Sequence, residues 1–139
     1  MACHKCFSQY IDNKKAELLK AFPDYENLTE TFFRRITDFV AEDFEGFSEN
    51  KVYRIFLKTV KDIVNISFEE KASKSYLRSF WKIIDTKDVC NCLTTFMRSK
   101  SSSVKCITAR MVNFYVYLNT TSSEEYQRRE IFDFLDSMI

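Results

Sequence analysis

The sequence predicts an all-α fold of six to seven helices, and three observations lead to that prediction. Apolar residues recur at intervals of three and four residues along most of the chain, which is the period of a helix with one buried face. The chain contains one glycine and one proline, whereas tight hairpins and phosphate-binding loops depend on glycine. Hydrophobic residues make up 45% of the chain, including 14 Phe and 7 Tyr, which is enough apolar surface for a core. A chain of 139 residues is expected to form one domain over residues 1–139.

The N-terminal half divides into three predicted helices. An apolar stripe runs from Phe7 to Phe22, and Pro23 ends it. Asn27-x-x-Glu30 has the pattern of a capping box for a second helix. Gly46 follows that helix as a left-handed terminator or loop residue, and Ser48 is expected to cap a third helix. The stripe of the second helix is Leu28, Phe32, Phe33, Ile36, Phe39 and Val40, and that of the third is Val52, Ile55, Phe56, Val60, Ile63 and Val64.

The C-terminal half contains the remaining predicted helices. The β-forming residues of Val112–Leu118 are assigned to a helix, because the upstream stripe enters them without a turn signal. Ser122-x-x-Glu125 is predicted to cap the last helix. The expected order is a fourth helix from near Phe68 to Ile84, a break at Asp85–Thr86, a short helix over Val89–Met97, a loop at Ser99–Ser103, a helix over Val104–Leu118, a loop at Asn119–Ser123 and a helix to Met138.

Charge and composition exclude several function classes. With 21 Lys and Arg against 20 Asp and Glu, the net charge is +1, so nucleic acid is not an expected partner. No apolar run reaches the roughly 18 to 20 residues that span a bilayer, so membrane insertion is not expected either. The one histidine, His4, lies close to the chain terminus, where a rigid catalytic arrangement is improbable. We therefore expect no enzyme, no catalytic residues, no cofactor and no metal.

The five cysteines leave three interpretations open. Cys3 and Cys6 lie at the start of the chain and Cys90, Cys92 and Cys106 in its later part. The favoured interpretation is a disulfide framework that joins Cys3 and Cys6 to the Cys90–Cys92 region in an oxidising compartment. The others are a zinc site that includes His4, and five reduced thiols.

Three Asn-x-Ser/Thr sequons begin at Asn27, Asn65 and Asn119. Each is predicted at a helix end or in a loop, where a glycan projects into solvent, so all three are candidate glycosylation sites. The sequons and the cysteines together favour a secreted, extracellular protein.

A secreted helical chain of this length resembles the helical cytokines, and short motifs point to the class II group of interleukin-10 and interferon-γ. Glu42–Phe47, followed by Val52–Val64, resembles the junction before the central helix of interleukin-10. Gln127–Leu135 resembles the last helix of interferon-γ and of interleukin-10 relatives. Cys90-x-Cys92 resembles a segment whose cysteines, in interleukin-10 relatives, bond to positions near the N-terminus, as Cys3 or Cys6 would here.

The resemblance implies a cytokine-like bundle that binds and brings together cell-surface cytokine receptor chains. It also implies a possible intertwined homodimer, for which Ser99–Ser103 would be the swap hinge. By the same analogy, the receptor-binding residues are expected near the first and last helices. They are Lys14, Lys15, Asp24, Tyr25, Glu26, Arg128 and Arg129.

A second function stays open beside the cytokine. An intracellular all-helical inhibitor of a host signalling protein, of the viral Bcl-2-like or death-fold kind, would take a partner's amphipathic helix in a groove. In that case Val104–Leu118 would be its buried central helix. The number of titratable thiols distinguishes the two, because a cytokine would have most of its cysteines bonded and an intracellular module would have none bonded.

Overall fold

A computed structural model describes residues 2–118 and 121–139, with side chains from Phe7 onward. These residues form seven α-helices and no strand, which confirms the predicted all-α class. The helices are α1 Ala2–Ala21, α2 Glu26–Ala41, α3 Glu49–Glu69, α4 Lys74–Ile84, α5 Lys87–Leu93, α6 Ser101–Tyr117 and α7 Glu124–Ser137, with 3-10 turns at Pro23–Tyr25 and Arg98–Lys100.

Helix α4 supplies the centre of the core. Its apolar side chains Tyr76, Leu77, Phe80, Trp81 and Ile84 are all buried, and the helix lies along α6 and also touches α1 and α5. One side of α6 is buried in the core, and the last residues of this helix are exposed at the surface. The most deeply buried helix is therefore α4 and not the Val104–Leu118 segment.

Helix α7 lies on the outside of α3. Its apolar residues Ile131 and Leu135 are buried, and two polar contacts link the helices. Lys61 pairs with Asp136, and the Arg128 guanidinium donates a hydrogen bond to the Asn65 side-chain oxygen. None of the described helices combines the length and the apolar character needed to cross a membrane.

Two predicted caps are wrong because neighbouring residues begin the helix instead. Helix α2 begins at Glu26, directly after the turn Pro23–Tyr25, and its N-cap residue Tyr25 makes no side-chain cap; Asn27 is already inside the helix. In α7 the cap is Ser123, whose hydroxyl accepts a hydrogen bond from the Tyr126 N–H at 3.1 Å, and not Ser122. The predicted cap at Ser48 is confirmed, since its hydroxyl accepts from the Lys51 N–H at 3.2 Å.

The boundary between the third and fourth helices also differs from the prediction. Phe68 belongs to α3, which continues to Glu69. The chain turns at Lys71, which has a positive φ of 51°, and the Ser73 hydroxyl then caps α4 by accepting from the Tyr76 N–H at 3.2 Å. The apolar spacing does not reveal this turn, because Phe68 before it and Ala72 after it both pack against the core.

The predicted loop at Ser99–Ser103 is wrong as well. Arg98–Lys100 is a 3-10 turn, and α6 begins at Ser101. The Lys100 N–H donates to the Met97 carbonyl at 2.8 Å, and the Ser99 hydroxyl donates to Glu49 of α3, so the turn is held to a neighbouring helix. The segment expected to be a swap hinge is helical, and the homodimer stays a prediction.

A candidate binding groove between α2 and α3

The loop that joins α2 to α3 is held in one conformation by its own hydrogen bonds. The Asp43 carboxylate accepts from the Glu45 N–H at 3.0 Å, and the Phe47 N–H donates to the Phe44 carbonyl at 3.0 Å. Gly46 lies within this second turn at φ +83°, a conformation that L side chains rarely adopt. The turn therefore places Phe44 and Phe47 on the same side of the loop, as the contact between their rings shows.

A chain of aromatic rings connects this loop to the core. Phe39 lies 5.7 Å from Phe56 and 5.2 Å from Phe44, measured between ring centroids. Phe44 in turn lies 5.8 Å from both Phe47 and Phe96. Phe44 is buried, whereas 40% of Phe47 and 39% of Phe96 are exposed. The row of rings thus begins in the core and ends at the surface, where the rings of Phe47 and Phe96 are partly exposed.

Beside these rings, α2 and α3 leave a groove of about 280 Å³. This volume is at the lower end of the range for small-molecule pockets, so the groove suits one or two side chains of a peptide better than a whole cofactor. Its apolar part is Phe39, Phe44, Phe47 and Ile55, and its polar part is Arg35, Asp38, Glu42 and Thr59.

Two cations and two carboxylates lie at the groove, and the two carboxylates have no ion-pair partner among the described residues. Arg35 is held by Asp62 of α3 at 3.4 Å, and the Lys51 ammonium stands 4.2 Å above the Phe47 ring centroid. Asp38 and Glu42 are exposed and have no ion-pair partner among the described residues. An exposed carboxylate without an ion-pair partner is hydrated, and it can pair with a cation of a binding partner. The rim of the groove is therefore suited to a basic partner. The lining of the groove contains no cysteine, histidine or serine.

The sequence predicts part of this site for another reason. Glu42–Phe47 resembles a junction motif, whereas the apolar spacing places Phe96 in a short helix over Val89–Met97. Phe96 lies beyond the end of α5, and its ring contacts a loop more than 40 residues earlier in the chain. Apolar spacing alone does not reveal such a long-range contact.

The residues expected to bind a receptor do not form one continuous surface. Helix α1 packs on α2, α4 and α5, whereas α7 packs on α3 and α6. Lys14 pairs with Glu17 at 3.4 Å, and Lys15 pairs across to Glu30 of α2 at 3.2 Å. Asp24 and Glu26 are exposed.

Two of these residues have internal partners. The Tyr25 ring stacks on Tyr76 at 4.4 Å, and its hydroxyl oxygen accepts a hydrogen bond from the Ser73 N–H at 2.9 Å. Arg128 contacts Asn65, as described above, whereas Arg129 is exposed and faces Glu125 at 3.6 Å. A substitution at Tyr25 or Arg128 would therefore disturb the fold as well as any receptor contact.

The described cysteines provide no support for the disulfide framework. No two of them stand at disulfide distance, and Cys3 and Cys6 lie outside the residues with described side chains. The Cys90 thiol is buried and donates to the Ile84 carbonyl at 3.5 Å, and burial raises its pKa. Cys106 is exposed. Among described side chains, no cluster of three His, Cys, Asp or Glu residues could hold a metal ion.

The three sequons have different surroundings. The Asn27 side chain is exposed in the first turn of α2, where a glycan would reach solvent. Asn65 lies inside α3, and its amide oxygen is bound by Arg128 of α7, so a glycan there would have to project from between two packed helices. Asn119 lies outside the described residues.

Neither a known protein family, nor a curated protein, nor a solved structure matches this chain. The cytokine resemblance and the Bcl-2-like alternative therefore both stay predictions.

Proposed function

We propose that this protein acts by binding another protein, and that the α2–α3 groove takes an amphipathic helix of that partner. The proposal rests on one observation: an accessible aromatic ring, Phe47, borders a groove whose rim carries two unpaired carboxylates, Asp38 and Glu42. Of the two functions considered, the helical inhibitor of a signalling protein agrees better with this geometry than the cytokine does.

The chemistry of the groove specifies the kind of helix. An apolar side chain of the partner would enter beside Phe47, whose ring is partly exposed at the edge of the groove. Lysine or arginine residues about one turn away on the partner helix would face Asp38, in the last turn of α2, and Glu42, which directly follows α2. The expected partner is therefore a basic amphipathic helix with at least one large apolar anchor.

A pair of peptides tests this proposal. The probes are fluorescein-labelled helical peptides of about 18 residues with the same leucine stripe, one with lysines and one with glutamates on the flanks. Fluorescence anisotropy should show binding of the lysine peptide only. Asp38→Lys with Glu42→Lys should weaken that binding about tenfold, which corresponds to ~1.4 kcal/mol. Both residues lie in or just after the last turn of α2, where lysine agrees with the helix dipole, so the fold should be kept.

The matched control is Glu69→Lys with Glu70→Lys, which changes the net charge equally at another helix end. This variant should bind the lysine peptide as the unmodified protein does. Equal weakening by both variants would mean that only overall charge matters and would contradict the groove. Binding of both peptides, or of neither, would contradict it as well.

The secreted cytokine is retained as a second candidate because one observation favours it. Asn27 presents an unobstructed side chain next to Asp24 and Glu26, which are also exposed. The thiol count separates the candidates. In protein from an oxidising expression host, the helical inhibitor predicts that all five cysteines titrate with a thiol reagent in denaturant without reductant.

The order of reaction in the native state gives an internal control for the same measurement. Cys106 should react fast because it is exposed, and Cys90 should react slowly because it is buried and its thiol has a raised pKa. Cys106→Ser should lower the amplitude of the fast phase by one thiol and leave the slow reaction of Cys90 unchanged. A single titratable thiol in denaturant would instead support the cytokine and exclude the reduced interaction module.

A further inference from the structure

The near-neutral net charge conceals a strong separation of charge along the chain. Residues 71–123 contain nine Lys and Arg but only two Asp and Glu, a net charge of +7, although the whole chain has +1. Helices α4 and α6 contain no acidic residue at all. One of the two acids, Asp85, accepts a hydrogen bond from the buried Thr108 hydroxyl at 2.6 Å.

Three of these cations line one groove. Lys74, Arg78 and Lys82 follow each other at intervals of four on α4, so they span roughly 12 Å along one side of the helix. Together with Ser75, Ser79, Tyr115 and Val116, they border a groove of about 330 Å³ between α4 and α6. None of the three has an ion-pair partner among the described residues. Lys74 donates to the Leu118 carbonyl at 2.9 Å, which fixes one end of the row.

An apolar surface continues from this basic row. At the end of α6, 44% of Val116 and 80% of Tyr117 are exposed. Exposed apolar side chains beside unpaired charges are typical of the centre and rim of a protein interface. A ligand for this groove therefore needs negative charge at one end and an apolar group at the other.

We infer that the α4–α6 groove is a second binding surface, which takes an acidic segment of a partner protein with an apolar side chain next to its carboxylates. This surface is separate from the α2–α3 groove, and its charge is opposite. The two proposals therefore stand or fall independently.

The surroundings of the groove favour a short acidic protein segment over a nucleic acid. A polynucleotide presents phosphates along its whole length, but the basic row covers only about two turns of helix. Beyond it lies α7, which begins with Glu124 and Glu125. Glu124 lines the cavity next to Lys71 and Lys74. A long polyanion would meet these carboxylates, whereas a segment of a few residues would not.

The test uses a labelled peptide of about six residues, which spans roughly 20 Å when extended, with glutamates followed by one leucine–phenylalanine anchor. The protein is the full chain, and fluorescence anisotropy measures binding at low and at high salt. We expect binding that weakens with salt. Arg78→Glu with Lys82→Glu should weaken it at least tenfold, and Arg78→Gln with Lys82→Gln should weaken it less but in the same direction. The circular dichroism of each variant checks that the helices are kept.

Arg54→Glu with Lys58→Glu on α3 is the matched control. These two exposed cations have the same spacing and give the same change in net charge. Unchanged peptide binding by this control, together with the loss in the α4 variants, would support the inference. Equal loss in the control would overturn it. Tighter binding of single-stranded oligothymidylate than of the peptide would overturn it in favour of nucleic acid, and peptide binding unaffected by the glutamine variant would exclude the row as the site.

Discussion

Phe80→Ala is expected to lower the free energy of unfolding by about 3–5 kcal/mol. The Phe80 ring is fully buried and joins α4 to α2, since its centroid lies 5.0 Å from Phe32 and 5.2 Å from Phe33. It also meets the Trp81 ring edge-on at 5.2 Å. Alanine would leave a cavity with aromatic walls, which the neighbouring helices close only in part. Urea unfolding followed by far-UV circular dichroism gives the loss, because Trp81 fluorescence would itself respond to the substitution.

Phe47→Ala is the control for this prediction. Its ring is 40% exposed and lies at the end of the aromatic row, so its removal should cost less than about 1 kcal/mol. If both alanine variants lost the same stability, α4 would not occupy the centre of the core.

The aromatic residues explain how much of the fold could be predicted from the sequence. Phe80, Trp81 and Ile84 occupy one side of α4 with helical spacing, so their burial follows from the pattern alone. Pro23 and Ser48 act through local geometry and were predicted correctly as a helix stop and a cap. Such signals depend on the nearest few residues, and a sequence contains that information directly.

Two of the errors share one cause, which is that polar residues with high cap and loop propensity can also lie inside a helix or begin one. Asn27 lies inside α2 and Ser101 begins α6, although both residue types favour helix ends. In each case the preceding 3-10 turn leads straight into the helix. Which of several adjacent polar residues becomes the first of a helix depends on packing of the turns that follow, and that packing is not readable from propensities.

The candidate sites depend even more on contacts between residues that are far apart in the sequence. Tyr25 was expected at a receptor surface but stacks on Tyr76, far along the chain. The groove beside Phe44 and Phe47 depends on how α2 lies against α3. The basic row is different, because helices free of acidic residues can be recognised from the sequence. The net charge of the whole chain does not reveal these helices, since it sums over segments of opposite charge.

The buried pair of Thr29 and Tyr76 affects how glycosylation should be tested. The two hydroxyl oxygens lie 2.6 Å apart in the core, and Thr29 is also the third residue of the Asn27 sequon. Removing the sequon through Thr29 would break a buried hydrogen bond, which costs about 1–3 kcal/mol. Asn27→Gln removes it at an exposed position and leaves the core unchanged.

Stability is expected to fall above pH 10, and the buried phenol of Tyr76 is one cause. Burial raises the pKa of Tyr76 from 10.0 to about 12, with the hydrogen bond to Thr29 opposing the rise in part. Below pH 10 this tyrosine is protonated in both the folded and the unfolded chain, so it adds no pH dependence. Between pH 10 and about 12 only the unfolded chain loses the proton. The free energy of unfolding should therefore decrease with rising pH, by ~3 kcal/mol in total from this one group.

Tyr115 contributes with the same sign, because burial raises the pKa of its phenol too. Urea midpoints measured at several pH values from 8 to 11.5, roughly the range in which tyrosines of the unfolded chain lose their protons, provide the test. Tyr76→Phe should be less stable at pH 8 by about 1–3 kcal/mol, since Thr29 loses its partner, but its stability should fall less above pH 10. Tyr117→Phe, at a side chain that is 80% exposed, should keep the full alkaline loss. An undiminished loss in Tyr76→Phe would mean that other groups, and not this buried phenol, are responsible for the alkaline sensitivity.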